Sequence, residues 1–335
     1  MNKVLKAGLI GCGDYLRWEI DRLNSSKSFK VKSTFDLDRK KSENIAKQID
    51  AQVVDSEDAI FNDLEIEIVL IFTPPWVRKN LFAKAAEKGK NIITTKPLAP
   101  NLADAKALSE LVSGKVACAV FYGRVGDPGV EKLKEILDSG EIGHLALYKE
   151  DWFHHYPQWN DWATDPEKNG GPFMDAMVHN LNKSRYLIDS KVKSVNYFSD
   201  NFAQSLKCND TEFMKLNFEN GASSYLFITW AGDLEVFSLD GNDREHYGLL
   251  HMITNQGWYI TEEETENGNV IRAKKEAEVK EWKVEPLELT PYDEVSLSIQ
   301  NGEPQKYDIS QALSDIEIME IAFHHKTGPK DISIS

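Results

Sequence analysis

Three short stretches of this chain carry residue types and spacings suited to moving a proton and a hydride. Gly170-Gly171-Pro172 precedes Asp175 and His179, four positions apart and so on one face of a helix that opens at the proline. Histidine titrates near neutrality and can take a hydroxyl proton, and a nearby carboxylate can orient or tune it. Lys96, in Thr94-Thr95-Lys96-Pro97-Leu98, brings an ammonium able to stabilise negative charge developing on the same oxygen. The third stretch, Gly11-Cys12-Gly13-Asp14-Tyr15-Leu16, follows an apolar run at the start of the chain. Two glycines there let the backbone approach a pyrophosphate, which the free N–H groups of a following helix would hold. Each stretch also has a plainer reading. An Asp/His pair four apart often only stabilises a helix, most lysines are solvated, and a glycine pair makes turns.

Position strengthens the functional readings. The second apolar strand ends at Asp36, where a carboxylate would accept hydrogen bonds from an adenosine ribose. An acid there favours NAD over NADP by repelling a 2′-phosphate, while Arg39 and Lys40 nearby can reverse the preference. Thr73-Pro74-Pro75-Trp76 and the Lys96 loop each follow a strand, at the ends where such sheets bind ligands. The predicted dinucleotide contacts are therefore Gly11, Cys12, Gly13, Asp14, Tyr15, Asp36, Arg39, Thr73, Pro74 and Lys96. Between Trp152 and Trp162 lies a dense run of rings, Trp152, Phe153, His154, His155, Tyr156, Trp159 and Trp162. Flat faces with polar edges suit a sugar or cyclitol, and Trp152 and His155 are the expected contacts. His154 and His155 are adjacent with no third ligand in a suitable spacing, so no metal site is expected.

The elements that must position these residues follow from periodicity. Apolar runs at Val4–Ile10, Lys30–Phe35, Ile66–Phe72, Asn91–Thr94 and Val116–Val120 read as strands. Helical patterns separate them at Tyr15–Leu23, Asp38–Ile49, Val77–Lys88 and Asn101–Val112. Strands alternating with helices imply right-handed crossovers and a doubly wound parallel sheet of the Rossmann type. The pattern changes near residues 120 to 124. After helices at Val130–Leu137 and Phe173–Leu187, strands follow one another at Val192–Phe198, Phe213–Phe218, Ser223–Trp230, Gly248–Thr254 and Trp258–Thr261. Consecutive strands point to a mainly antiparallel open sheet in a C-terminal α/β domain, with late helices at Tyr292–Gln300 and Ser310–His325. The expected division is 1–121 for dinucleotide binding and 122–335 for substrate binding and oligomerisation.

Composition narrows the partners. The 335 residues are 41% hydrophobic and 28% charged, as in a globular protein of two domains. A net charge of -15 repels nucleic acid and anionic lipid, so neither is expected as a partner. Three scattered cysteines and the absence of a leader-like or membrane-spanning segment lead to an expected cytoplasmic location.

In order and spacing, Gly11-Cys12-Gly13, Lys96-Pro97, and Gly170-Gly171 followed by Asp175 and His179 resemble the Gfo/Idh/MocA oxidoreductase family. Thr73-Pro74, Gly140-Glu141-Ile142-Gly143 and His325-Lys326-Thr327-Gly328 extend the resemblance over the whole chain. It implies an NAD(P)-dependent dehydrogenase or reductase acting on a sugar, inositol or related polyol, with Lys96 and His179 catalytic and Asp175 supporting them. It also implies that Tyr122 and Arg124 reach substrate or cofactor, and that the open sheet mediates a homodimer or homotetramer. The chain departs from the family pattern at Leu16 for glycine or alanine, Thr95 for glutamate, Arg78 for histidine and Asn182 for aspartate. Two other readings therefore stay open: a non-catalytic sensor of dinucleotide or sugar, and a redox-assisted lyase or glycosidase with no net change of cofactor.

Overall fold

The computed structural model describes residues 3–154, 162–168, 170–232, 246–266 and 268–324. The first sheet is made of β1 (Leu5–Ile10), β2 (Phe29–Phe35), β3 (Gln52–Val53), β4 (Ile66–Ile71), β5 (Asn91–Thr95) and β6 (Cys118–Phe121). Their order is β3-β2-β1-β4-β5-β6, and every neighbouring pair is parallel. The apolar runs form strands because both faces are covered: Val69, Leu70, Ile71, Ile92 and Ile93 are fully buried. Each such side chain contributes about 1.5–3 kcal/mol of hydrophobic stabilisation. The chain leaves β1 for β2 on one side and returns to β4 on the other, so the carboxyl end of β1 is the topological switch point.

The crossovers are α1 (Ile20–Ser25), α2 (Arg39–Gln48), α3 (Glu57–Phe61), α4 (Arg78–Glu87) and α5 (Leu102–Val112). Their starts carry side-chain caps where the sequence offers them. Asp38 accepts from Lys40 N, Ser56 from Ala59 N and Asn101 from Asp104 N. The helix expected over Tyr15–Leu23 is instead two pieces, a 3-10 turn at Asp14–Trp18 followed by α1. Leu16, at the position where the fingerprint has glycine or alanine, is the fully buried residue of this 3-10 turn. Glu19, at the break, is 2% exposed and accepts hydrogen bonds from Tyr15, Arg22 and Tyr292.

Contacts divide the chain into two compact units, Met1–Tyr122 with Leu287–Ile316, and Gly123–Pro286 with Glu317–Ser335. The late helix α8 (Pro291–Asn301) is thus part of the first unit. Thr290 and Asp293 form its capping box, and Asp293 also accepts the N–H groups of Lys27 and Ser28 ahead of β2.

In the second unit, α6 (Pro128–Asp138), β7 (Leu145–His154) and α7 (Val178–Ile188) precede a run of strands. These are β8 (Val192–Asp200), β9 (Thr211–Phe218), β10 (Ser223–Thr229), β11 (His246–Thr254), β12 (Tyr259–Thr265), β13 (Gly268–Lys275) and β14 (Glu278–Lys283). The sheet order is β14-β13-β12-β11-β7-β10-β9-β8; β7 and β10 run parallel and the other pairs are antiparallel. Alternation sorts the side chains onto two faces. Tyr148, Met214, Leu216, Leu226 and Ile228 are buried on the face covered by α7 and the turn before it. Phe153, Phe198, Phe213, Tyr225 and Phe227 lie on the opposite face, where Phe153 contacts Phe227 and Phe213 contacts both Phe198 and Tyr225. The last helix, α9, spans Ile309–His324. No helix among the described residues is long and apolar enough to cross a membrane.

Candidate active site

In the first unit the ends of β1, β2, β4 and β5, expected to hold a dinucleotide, are neighbours along one edge of the sheet around the switch point. Gly11 has φ +95°, and a Cβ built there would stand 2.8 Å from the carbonyl carbon and oxygen of Phe72. Only glycine lets β1 and β4 come this close at their ends. Gly13 has nothing within 4 Å of such a Cβ and gives the following turn no side-chain cap, so backbone is left open above the strand end. Asp36 is fixed by two backbone donors, Cys12 N at 2.7 Å and Asp38 N at 2.8 Å. Beside it, Phe35, Asp36, Leu37, Arg39, Val53 and Asp55 line a cavity of about 300 Å³. Close backbone approach, an open turn and a fixed carboxylate over a cavity fit the pyrophosphate, ribose and base of a dinucleotide.

The remaining predicted contacts on this unit are placed less uniformly. Cys12 is buried, and burial together with the Asp36 charge pushes its thiol up to about 12. Its backbone N–H is taken by Asp36, so its part in the turn is to hold that carboxylate. Asp14 is exposed. The Tyr15 ring stands edge-on to Phe72 at 5.0 Å, and its hydroxyl donates to Glu19 at 2.9 Å. Arg39 is held by Glu43 at 2.9 Å and Asp55 at 2.5 Å. Pro74 is exposed, Thr73 half-buried with its hydroxyl oxygen enclosed, and Tyr122 buried.

Lys96 follows β5, with its backbone N–H bonded to Phe121 O at 3.0 Å and its side chain half-buried; the Lys96–Pro97 bond is cis. The loop around it is organised by Arg78. This residue lies on the apolar stripe of α4 with Leu81, Phe82 and Ala85 and is 1% exposed. Nε and Nη2 donate to Thr73 O at 3.1 and 2.8 Å. Nη1 donates to Thr95 O at 2.7 Å, Pro97 O at 2.5 Å and Leu98 O at 3.2 Å. Burial pushes the guanidinium down to about 9, which leaves it a cation at neutral pH. Thr95 and Arg78, two departures from the family pattern, thus bond directly.

In the second unit Asp175 sits on a π-helical turn, Phe173–Met177, that runs directly into α7, whose first turn carries His179. Such turns widen the helix and recur at functional sites. The start of this turn is held by Glu212, which accepts the Phe173 N–H and, at 2.5 Å, the Tyr197 hydroxyl. Both Asp175 and His179 are half-buried. Gly123, with φ +76°, lies against the His179 ring, a built Cβ standing 4.0 Å from Cε1 and Nδ1. The next residue, Arg124, places its guanidinium 5.4 Å from the centre of the Trp152 ring. The Trp152 indole donates to Glu150 at 2.9 Å, and Glu150 also pairs with Lys183 at 3.0 Å, one turn beyond His179. Trp152 is thereby oriented with its polar edge satisfied. His155 lies outside the described residues. Among the described residues no group of three or more metal-ligating side chains is assembled.

Sequence reasoning passed over Glu150 and Glu212 and noted Arg78 only as a departure. The signal was present. Arg78 stands at i with Leu81, Phe82 and Ala85 at i+3, i+4 and i+7, and Glu212 alternates with Met214 and Leu216. A charged residue on a core stripe must find partners, and here those partners are parts of the site.

Comparison with known proteins agrees with both units. Residues 5–123 match the model of the oxidoreductase family with an NAD-binding Rossmann fold, and residues 130–238 match the GFO/IDH/MocA C-terminal domain. The uncharacterized oxidoreductase YrbE of Bacillus subtilis is 30% identical over 234 residues, 68% of this chain and 67% of that protein. A scyllo-inositol 2-dehydrogenase (NAD(+)) of Bacillus subtilis is 31% identical over 186 residues, 53% of this chain and 50% of its own length. The chain therefore spans about half of that relative. An oxidoreductase from Agrobacterium radiobacter, solved in complex with NAD+, L-tartaric acid and magnesium, shares the fold with a TM-score of 0.78 at 18% identity, covering 96% of each chain. With both halves matched in order, and the parallel and open sheets in place, the chain belongs to the Gfo/Idh/MocA oxidoreductase family.

Proposed function

We propose that this protein is an NAD-dependent dehydrogenase of a sugar, inositol or related polyol. The observation that carries the reading is Asp36, locked by two backbone N–H groups at the end of β2 beside the cavity. A carboxylate fixed there accepts the ribose hydroxyls and repels a 2′-phosphate. Arg39 at the same strand end sits in exposed ion pairs with Glu43 and Asp55, and the fixed Asp36 charge is what makes NAD the preferred cofactor in this reading.

Bound nicotinamide supplies the hydride acceptor. His179 takes the proton of the substrate hydroxyl, with Asp175, four residues earlier on the preceding π-helical turn, tuning it. Lys96 donates from its ammonium to the reacting oxygen and stabilises its developing charge. Trp152 offers a ring face to the substrate's apolar surface, and Arg124, packed on that ring, offers donors to its hydroxyls. The scyllo-inositol dehydrogenase relative supports the polyol class. The test is a panel of cyclitols and aldoses with NAD, run beside Lys96→Met and His179→Asn. Turnover by the wild type that falls at least about a hundredfold in both variants, with NAD still bound, supports the reading. NAD binding with no turnover across the panel favours a non-catalytic sensor.

We also propose that the protein is a homo-oligomer assembled through the face of the second sheet opposite α7. Phe153, Phe198 and Leu249 are 37%, 38% and 40% exposed there, alongside half-buried Phe213, Tyr225 and Phe227. An apolar band of this kind on one sheet face suits a self-complementary interface.

A further inference from the structure

Arg78 is buried, charged and, among the described residues, without a carboxylate partner. A buried cation satisfied by carbonyl oxygens alone is an expensive feature, and a leucine or methionine would complete the α4 stripe more simply. What Arg78 does that an apolar residue cannot is join two loops. Its guanidinium takes Thr73 O from the end of β4 and Thr95 O, Pro97 O and Leu98 O from the end of β5. Thr95 and Pro97 are the immediate neighbours of Lys96 on either side. The backbone flanking Lys96 is thus pinned to the adjacent strand end by one planar, multiply donating group.

We propose that Arg78 is a positioning residue for Lys96, acting through the carbonyls of Thr95 and Pro97 to fix where the Lys96 side chain leaves the β5 loop. The proposal rests on the dehydrogenase reading for the role of Lys96, though not for the clamp itself. Arg78 is 1% exposed and its donors go to backbone carbonyls, so it acts by setting the geometry of Lys96. A lysine at position 78 keeps the charge but not the fork, and cannot span all four carbonyls. A methionine removes both.

The experiment compares wild type, Arg78→Lys and Arg78→Met, each first checked for a cooperative thermal transition. Competitive acylation of lysines by a small reagent, read by mass spectrometry, gives the reactivity of Lys96 relative to exposed Lys115. A clamp predicts that this ratio changes at least about threefold in both variants, and that bound NAD does not restore it. On a turned-over polyol, Arg78→Lys lowers kcat at least about tenfold while the NAD dissociation constant and substrate KM stay within about twofold. An unchanged Lys96 ratio in folded variants overturns the proposal. So does a loss of rate that merely follows weakened NAD binding, which would make Arg78 part of the cofactor site. If the wild type turns over no polyol, the dehydrogenase reading fails, and the labelling ratio still decides whether Arg78 controls Lys96.

Discussion

Asp36 Oδ2 accepts the backbone N–H of Cys12 at 2.7 Å, tying the end of β2 to the turn that follows β1. One carboxylate thereby shapes the turn after β1, and in the proposed reading it also accepts the ribose hydroxyls. Asp36→Asn keeps the size and removes the charge. Hydrogen bonds to a charged group contribute about 1.5–3 kcal/mol, so NAD affinity should fall about tenfold or more by calorimetric titration. NADP affinity should fall less, because the repulsion of its 2′-phosphate is relieved. Equal losses for both nucleotides would reduce Asp36 to a structural cap.

Asp210 gives a pH dependence with a definite sign. It is fully buried, which favours the neutral acid, yet it accepts the N–H groups of Phe202, Ala203 and Gln204 and the Thr211 hydroxyl. Those donors outweigh burial and hold its carboxyl below the usual range. A lowered folded pKa stabilises the protein fully above the unfolded value, about 3.9, and that contribution is lost as pH falls toward the folded value. Asp210→Asn should cost about 1.5–3 kcal/mol at neutral pH. The gap from wild type should close below about pH 4 in urea denaturation. A gap independent of pH would mean that packing, not charge, is what Asp210 supplies.

The cysteines titrate in the opposite sense. Burial, then the Asp36 charge, pushes Cys12 up to about 12; burial, then Glu212, pushes Cys208 up to about 11. Burial raises Cys118 as well. Since unfolded thiols ionise near 8.5, the fold loses stability as pH rises beyond that value. At pH 8 the folded protein should leave all three thiols unreactive toward a disulfide reagent, and denaturation should release three. A thiol titrated rapidly in the native state would contradict this.

Much of this arrangement was legible in the sequence, and the exceptions have physical causes. The strands of the first sheet are apolar on both faces, so runs such as Ile66–Ile71 announce themselves. The hairpin β13–β14 was missed because β14, Glu-Val-Lys-Glu-Trp-Lys, is an edge strand whose charges protect it from further pairing. The split of the first helix into a 3-10 turn and α1 falls inside one helical pattern, and a periodicity count does not reveal where such a pattern breaks. Helix α8 looks amphipathic in any setting; its place in the first unit is set by Tyr292 reaching Glu19 and Asp293 reaching Lys27, partners more than 260 positions away. The site was readable as residue types, whereas Arg78, Glu150 and Glu212 gain meaning only from the carbonyls, indole and helix start they hold.

The aromatic face of the second sheet, opposite α7, predicts self-association. Phe227 lies within its aromatic band, in contact with Phe153 at 5.7 Å between ring centres. Phe227→Asp should shift light scattering from an oligomer to a monomer while leaving the thermal transition of the monomer cooperative. A wild type that is monomeric at every concentration tested would show that the band serves another purpose.

The central claim is that the first unit binds a nicotinamide dinucleotide with Asp36 selecting NAD. Titration of NAD and NADP separately into the purified protein, followed by tryptophan fluorescence and calorimetry, tests it most directly. The account predicts saturable binding at one dinucleotide per chain, with NAD the tighter. Binding of neither nucleotide at millimolar concentration, with none co-purifying, would contradict it.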